Sequence, residues 1–310
     1  MGGGPAAPQS DMKVAGGLAL DADASILRSN CAGRTHRCCV ILTQPWSGFL
    51  LCSFPGPKLT SRRAVVSKSA DPNLSKSLTM SRHSVSRHLR LAIDDYDETI
   101  RRFTPGYDAM LAAAAREFAC VRPSRVLDLG GGTGSLAQAL LVHGGVGNID
   151  LIDVDPEMLA QARIRLARFG KRVRFREMSF FSELPPCNGV ATSLALHHIE
   201  TRNTKTNLYR RIHEVLPPGG LFVNADVTMP RAEPERQRTY RLWIDHMMAC
   251  GISEEGAWQH LAEWADEDTY FPLEEELASL GTAGFHSECT WRQGPIAVMV
   301  GRKAPSSAGR

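Results

Sequence analysis

Residues 126–135 read VLDLGGGTGS, a short apolar run followed by one aspartate and then by four glycines within five positions. Glycine lets a backbone adopt unusual angles and come close to a bound ligand. Asp128 stands at the mouth of this loop, where its charge would repel a pyrophosphate but attract an ammonium or sulfonium group. The segment also lacks the Gly-Lys-Ser/Thr sequence of a P-loop. The loop therefore predicts a nucleotide-like ligand that carries a positive charge.

A second acidic residue follows at a spacing that suits the same ligand. Asp153 ends the segment NIDLID, nineteen residues after Gly134, where a carboxylate can accept hydrogen bonds from both hydroxyls of a ribose. Asp155 is predicted instead to cap the helix that begins at Pro156. The two aspartates are therefore expected to have different roles, with Asp128 and Asp153 on one binding site.

Two adjacent histidines are the candidates for acid-base chemistry. His197 and His198 come directly after an apolar segment, ATSLAL, that reads as a strand. An imidazole changes its charge near neutral pH and can take a proton from a bound substrate. The alternative for His198 is a hydrogen bond that only holds its own loop.

These residues need a scaffold that brings the ends of several strands together. After Met80, short apolar strand patterns alternate with helical patterns. This alternation predicts an α/β, Rossmann-like fold with a seven-stranded, mostly parallel sheet and helices on both faces. Gln293 and Gly294 predict a tight turn and hence an antiparallel last strand. The predicted strands are 125–129, 148–154, 173–177, 189–194, 221–226, 287–291 and 295–301.

Helical patterns fill the intervals between these strands. Thr104, Pro105 and Gly106 are turn-forming residues that separate the first two predicted helices. A helical pair is predicted as an insertion at about 232–266, after the fifth strand. The predicted helices are 89–100, 109–119, 135–143, 156–169, 205–216, 236–248, 254–264 and 273–280.

The first 79 residues differ in composition from the rest of the chain. They hold nine Lys and Arg against four Asp and Glu, have no acidic residue from 24 to 70, and are rich in Gly, Pro, Ser and Ala. We expect a disordered or targeting extension at 1–79, followed by a domain at 80–310. A translation start at Met80 is a further alternative. A cytoplasmic location is expected, or an organelle if the extension is a transit peptide.

Composition also limits the partners of the main domain. Residues 80–310 hold 27 Lys and Arg against 29 Asp and Glu, which gives no electrostatic argument for a nucleic-acid partner. The most apolar early stretch, residues 39–54, is shorter than the ~20 residues of a membrane helix. The eight cysteines form no CxxC pair and no Cys/His cluster, so neither a metal site nor a disulfide framework is predicted. A small-molecule partner is the simplest expectation, and the oligomeric state stays open.

Four motifs in sequence order resemble those of a known family. VLDLGGGTGSLAQAL, LIDVDPEMLAQAR, ATSLALHHIE and RIHEVLPPGGLFVNADV are similar to the motifs of class I S-adenosylmethionine-dependent methyltransferases, and the likeness extends from about Tyr96 to Lys303. The resemblance implies that S-adenosylmethionine is the cofactor. It also implies that Gly130, Gly131, Gly132 and Gly134 lie against the methionine part, that Asp128 supports its amino group and that Asp153 binds the ribose.

The resemblance assigns further residues on both sides of the methyl group. Where the family often has an acidic residue near the adenine, this chain has Met178 and Ser179, and Val154 and Leu194 complete the predicted cofactor set. The HHIE stretch is expected beside the methyl group, which makes His197 the predicted catalytic residue. The predicted substrate contacts are Tyr96, Tyr107, His198, Asp226 and Trp243. Aromatic packing of a helix pair is an equal explanation for the two tyrosines.

The predicted function is transfer of a methyl group, by in-line displacement, to a small-molecule acceptor. Positioning of two substrates can supply most of the required rate enhancement, so no catalytic triad is needed. One alternative is a tRNA-modifying or carboxy-S-adenosylmethionine-related enzyme, because YDETIRRFTPGYD resembles the start of such proteins. Others are a non-catalytic methyltransferase-like binding protein and a nicotinamide oxidoreductase, which Asp128 disfavours. The basic run 163–176 is expected to be a solvated face, with an RNA or anionic substrate as its alternative.

Overall fold

The computed structural model of the chain describes residues 96–306. The predicted extension 1–79, the candidate start at Met80 and the first residues of the predicted helix 89–100 lie outside the described residues. The extent of the extension and the boundaries of the following domain therefore stay predictions.

The elements within residues 96–306 alternate as the sequence patterns predict. The strands are β1 (Arg125–Leu129), β2 (Asn148–Asp153), β3 (Val173–Glu177), β4 (Gly189–Ser193), β5 (Leu221–Val227), β6 (His286–Gln293) and β7 (Ile296–Arg302). The helices are α1 (Tyr96–Phe103), α2 (Tyr107–Val121), α3 (Ser135–His143), α4 (Pro156–Leu166), α5 (Arg202–Val215), α6 (Glu235–Ala249), α7 (Glu254–Trp264) and α8 (Leu273–Thr282). None of these helices is long and apolar enough to cross a membrane.

The seven strands form one sheet in the order β3-β2-β1-β4-β5-β7-β6. Strands β1 to β5 pair in parallel, whereas β7 runs antiparallel to both β5 and β6. The predicted fold class is confirmed. The turn between the last two strands is formed by Gly294 and Pro295 rather than by Gln293 and Gly294, because Gln293 still pairs with Ile296. Gly294 has a φ of 56°, a conformation that favours glycine.

Two buried apolar clusters stabilise the sheet. Successive strand residues point to opposite faces, so Val126 belongs to one cluster and Leu127 to the other. All seven residues of β5 are buried, as expected for a strand covered on both faces. The polar residues at the carboxyl ends of β1, β2 and β5 are therefore held on a rigid support.

Helix ends explain where the predicted bounds differ from the structure. Asp155 caps α4 as predicted, because its Oδ1 accepts hydrogen bonds from the backbone N–H groups of Glu157 and Met158. Helix α4 ends at Leu166, and a short 3₁₀ segment follows in which Gly170 has a φ of 53°. Helix α5 begins three residues earlier than predicted because Thr201 caps it.

Candidate active site

A cleft of about 1080 Å³, part of it open to solvent, lies at the carboxyl ends of β1, β2 and β4; it is called the loop cleft below. This is the edge of an open parallel sheet at which ligands bind. Seven of the ten predicted cofactor residues line it. They are Gly130, Gly131, Gly132, Asp153, Val154, Ser179 and Leu194.

The glycine loop fits closely against the sheet. A Cβ atom on Gly131 would lie 2.5 Å from Cγ of Leu151, and one on Gly130 would lie 2.5 Å from Cβ of Ala195. Gly131 also donates its backbone N–H to the carbonyl of Ile152 at 3.1 Å. Side chains at these two positions would push the loop into the cleft, so glycine is needed to keep the space for a ligand.

The carboxylate of Asp153 is fixed by two backbone groups. Its Oδ2 accepts the N–H of Gly132 at 2.8 Å, and its Oδ1 accepts the N–H of Asp155 at 2.9 Å. Burial raises the pKa of this carboxyl group, although these N–H groups oppose the rise. An ionised carboxylate offers about four acceptor positions, so Asp153 can still accept ribose hydroxyls from the cleft.

Asp128 is fully buried, and its carboxylate forms no ion pair or side-chain hydrogen bond with any described residue. Burial raises its pKa to about 8, the charge of Asp153 adds to the rise, and the nearby backbone N–H of Ala137 opposes it. Its side chain does not line the loop cleft. A positively charged group bound in the loop cleft would compensate the charge of Asp128. A water molecule could bridge that group and the carboxylate.

Two other predicted cofactor residues, Gly134 and Met178, do not line the cleft, and their contact with a cofactor stays a prediction. Gly134 has a φ of 84° and is the residue from which α3 begins, so its role is to turn the chain into the helix. Met178 packs against the second apolar cluster. Ser179, Phe180 and Phe181, which follow β3, line the cleft beside them.

The start of α1 is held over the glycine loop by residues that the sequence did not single out. Oδ1 of Asp97 accepts hydrogen bonds from Thr133 at 2.9 Å and from Ser135 at 3.2 Å. Arg165 forms an ion pair with Asp97 and donates to Ser135. This network places Tyr96 on the cleft wall, beside Tyr107.

The basic run 163–176 is only partly the solvated face that we expected. Arg165 contacts Asp97, Arg176 pairs with the buried Asp150 at 2.8 Å, and Arg172 donates to two backbone carbonyls. These guanidinium groups therefore stabilise the fold of this chain. The expectation of a solvated face was wrong for Arg165 and Arg176, which are partly buried, whereas Arg172 is exposed as expected.

A second cavity of about 550 Å³, part of it open to solvent, adjoins the loop cleft and is called the aromatic pocket below. Tyr96, Leu194 and His198 line both cavities. The aromatic residues of the pocket, besides Tyr96, are Phe103, Trp243, Trp264 and Tyr270. Polar atoms are concentrated at the end that carries His197, His198 and Asp268. The pocket suits a compact, largely apolar molecule with a polar group at that end.

The predicted substrate residues are divided between the two cavities. Tyr96 and His198 border both, Tyr107 borders only the loop cleft, and Trp243 borders only the aromatic pocket. The indole of Trp243 donates to the carbonyl of Phe103 at 2.6 Å, which ties α6 to α1. Asp226 borders neither cavity and contacts His197 instead, so a direct contact with substrate stays a prediction.

Asp226 fixes the orientation of His197. Its Oδ1 lies 2.6 Å from Nδ1 of the imidazole, and backbone N–H groups of Leu196 and Val227 hold the carboxylate at 3.1 and 2.8 Å. Burial lowers the pKa of His197, but the nearby carboxylates Asp226 and Asp268 outweigh burial and raise it. The arrangement leaves Nε2 of His197 as the ring nitrogen on the side of the aromatic pocket.

Asp268 is a site residue that the sequence did not predict. Its Oδ1 lies 2.9 Å from Nδ1 of His198 and 3.8 Å from Nε2 of His197. The hydroxyl of Tyr270 donates to Oδ2 at 2.6 Å, and the N–H of Thr269 donates to the carbonyl of His197 at 2.8 Å. The histidines and Tyr270 outweigh burial and lower the pKa of Asp268.

Comparison with known proteins adds independent findings. Residues 126–220 match the family model of a methyltransferase domain. A search of curated protein sequences gave no match.

Many solved structures are similar to this chain. An O-methyltransferase family protein from Burkholderia thailandensis has 18% sequence identity and a TM-score of 0.55, over 76% of this chain and 68% of that one. The complex of DhpI with SAH has 17% identity and a TM-score of 0.50, over 75% of this chain and 97% of that one. The chain spans about half of the S-adenosylmethionine-dependent methyltransferase SibL, namely 51% of its length and 59% of this chain, at 22% identity and a TM-score of 0.43.

Proposed function

We propose that this chain, whose residues 126–220 match the family model of a methyltransferase domain, is a class I S-adenosylmethionine-dependent methyltransferase and transfers a methyl group to a small-molecule acceptor in the aromatic pocket. The observation that carries the proposal is the junction of the two cavities. The loop cleft has the glycine loop and Asp153, the aromatic pocket has His197, and both share Tyr96, Leu194 and His198. A donor and an acceptor bound in the two cavities would therefore meet at this shared wall.

The residues of the loop cleft fit S-adenosylmethionine. Asp153, which two backbone N–H groups hold at the cleft wall, can accept hydrogen bonds from ribose hydroxyls, and the buried carboxylate of Asp128, reached through a water molecule, suits the ammonium charge of the methionine part. Gly130 and Gly131 leave room where any side chain would clash. When bound, this cofactor supplies an electrophilic methyl group on a sulfonium.

The acceptor is positioned by the apolar walls and activated at His197. In the neutral imidazole, Asp226 accepts the hydrogen bond from Nδ1, so Nε2 has a lone pair that can take a proton from an acceptor hydroxyl or amine, and the raised pKa of His197 makes it a stronger base. The apolar side chains exclude water, which leaves the acceptor as the nucleophile in line with the methyl group. Positioning of the two reactants can contribute on the order of 7–11 kcal/mol to the barrier reduction.

A small molecule is favoured over RNA as the acceptor because the basic run has other roles. Arg165, Arg172 and Arg176 form contacts within this chain, so their charges are not all available to bind phosphates. The aromatic side chains that line the aromatic pocket also favour a small, largely apolar acceptor over RNA.

Calorimetric titration of the full chain with S-adenosylmethionine, S-adenosylhomocysteine and NAD tests the proposal. We expect binding of the first two compounds and none of the third. Mass spectrometry would then detect a gain of one methyl group in acceptors drawn from hydroxylated aromatic and heteroaromatic compounds. Binding of NAD alone would overturn the proposal, and cofactor binding without turnover of any acceptor would favour the non-catalytic alternative.

A further inference from the structure

We propose that His197, His198 and Asp268 bind a divalent transition-metal ion at the polar end of the aromatic pocket. Each residue offers one ligand atom, and these atoms lie within 4.8 Å of one another. No local spacing in the sequence predicts this site, because the histidines are adjacent and the carboxylate comes seventy residues later. The binding of the ion can be tested by itself, whereas its role in catalysis rests on the proposed function.

The distances are close to those of a metal site. Zinc ligands bind at about 2.0–2.2 Å in tetrahedral geometry, which places pairs of ligand atoms roughly 3.3–3.5 Å apart. Oδ1 of Asp268 lies 2.9 Å from Nδ1 of His198 and 3.8 Å from Nε2 of His197, on either side of that value. The side chain of His198 is 28% exposed and can rotate, so a small shift would bring it into place.

The surrounding groups support metal binding at two of the three ligands. Protein ligands of metal ions are commonly oriented by a hydrogen bond on their other side. Asp226 holds Nδ1 of His197, and this leaves Nε2 toward the cluster. Tyr270 holds Oδ2 of Asp268, and this leaves Oδ1 toward the two imidazoles. Asp226 and Asp268 place two carboxylates beside the imidazole of His197. A divalent cation would compensate the negative charge of these carboxylates.

The donor set and the open side indicate the class of ion. Two imidazole nitrogens and one carboxylate oxygen suit zinc and similar first-row ions better than magnesium or calcium, which prefer oxygen ligands. All three residues line the aromatic pocket, so a fourth position faces the space for the acceptor. Three protein ligands with an open position are characteristic of catalytic rather than structural sites.

The ion provides a second state of the same site. Without it, Nε2 of His197 takes the proton of the acceptor. With the ion bound, the acceptor oxygen coordinates it in the open position. Coordination lowers the pKa of the acceptor hydroxyl, and the O–H proton leaves to water. The oxygen lone pair then forms the bond to the methyl carbon, and the carbon–sulfur bond breaks with its electron pair remaining on sulfur.

Equilibrium dialysis of the chelator-treated full chain against zinc, followed by elemental analysis, tests binding. We expect one zinc per chain at this site, with at least a tenfold loss of affinity in His198→Ala and in Asp268→Asn. Tyr270→Phe keeps the ring and removes only the outer hydrogen bond, so it should weaken zinc by about 10–100-fold. His143→Ala, an exposed histidine outside the cluster, is the matched control and should bind zinc normally.

Two results would overturn the metal site. One is the absence of stoichiometric zinc, and the other is zinc that stays equally tight in His198→Ala and Asp268→Asn, which would place it elsewhere, for example on the cysteines. Circular dichroism establishes that each variant is folded. S-adenosylmethionine titrations in parallel separate the two proposals, because cofactor binding without zinc overturns only the metal site, and zinc without cofactor binding overturns the proposed function.

Discussion

Nδ1 of His197 and Oδ1 of Asp226 lie 2.6 Å apart at the carboxyl ends of two adjacent parallel strands, and both groups are buried. Two backbone N–H groups hold the carboxylate, so the imidazole has one fixed tautomer and one fixed direction. Pairing of β4 with β5 brings these two side chains together and therefore determines where Nε2 of His197 points.

Replacing His197 with alanine should lower turnover without weakening the cofactor. Loss of a positioned acid-base group typically costs about 10²–10⁴ in rate. His197 does not line the loop cleft, so the affinity for S-adenosylmethionine should change little. Single-turnover kinetics and calorimetry measure the two quantities. Loss of both together would mean that His197 is structural rather than catalytic.

Asp226→Asn is expected to reduce turnover by a similar factor while the cofactor still binds. An amide keeps the shape but can donate to Nδ1, which would favour the other tautomer and place a hydrogen on Nε2. Removing one charge of a buried pair also destabilises a fold, so urea unfolding should be measured alongside. Full activity in a stable Asp226→Asn variant would argue against tautomer control.

Asp153 gives a test of the cofactor site with a neighbouring control. Asp153→Ala removes a charged acceptor, so the affinity for S-adenosylmethionine should fall by about 1.5–3 kcal/mol, or roughly 10–150-fold. Asp155→Ala removes the cap of α4, which should cost about 1 kcal/mol of stability and leave the affinity nearly unchanged. Calorimetry compares the two variants. Equal affinity in Asp153→Ala would show that the ribose binds elsewhere.

Local patterns were sufficient to predict the sheet and the glycine loop. The strands of a parallel sheet are covered on both faces, so β1, β2 and β5 read as mostly apolar segments, and each has an aspartate at or next to its last residue. Asp153 and the glycines are likewise defined by residues close to them in sequence. Their positions follow from the topology once the strand order is known.

The acceptor side could not be predicted in the same way. Asp268 and Tyr270 lie in the connection between α7 and α8, and only tertiary packing brings them to the histidines. Asp226 was placed correctly at a strand end, but the sequence could not tell that its side chain contacts His197 rather than the substrate. Phe180 and Phe181 were visible in REMSFFSEL as adjacent aromatic residues, a signal that would have identified them as part of the cleft wall.

Asp128 should make both stability and cofactor binding depend on pH. Its pKa is raised from the ordinary aspartate value of 3.8 to about 8 in the fold, so the folded chain binds more protons than the unfolded chain between about pH 4 and pH 8. The contribution of this group to the free energy of unfolding therefore falls as pH rises through that window. As pH rises toward 8 the carboxylate becomes charged in the fold and attracts the ammonium group of S-adenosylmethionine, so affinity should rise from about pH 6.5 until that ammonium group loses its own proton near pH 8.

Asp128→Asn isolates this effect because the amide has the same size and does not titrate. The variant should lose part of the pH dependence of unfolding in the cofactor-free protein, and its affinity for S-adenosylmethionine should stay low across the same pH range. Urea unfolding and calorimetry over this range measure both. If wild type and Asp128→Asn have parallel pH profiles, the buried carboxylate does not change its charge in this range, and the loop needs another partner for the ammonium group.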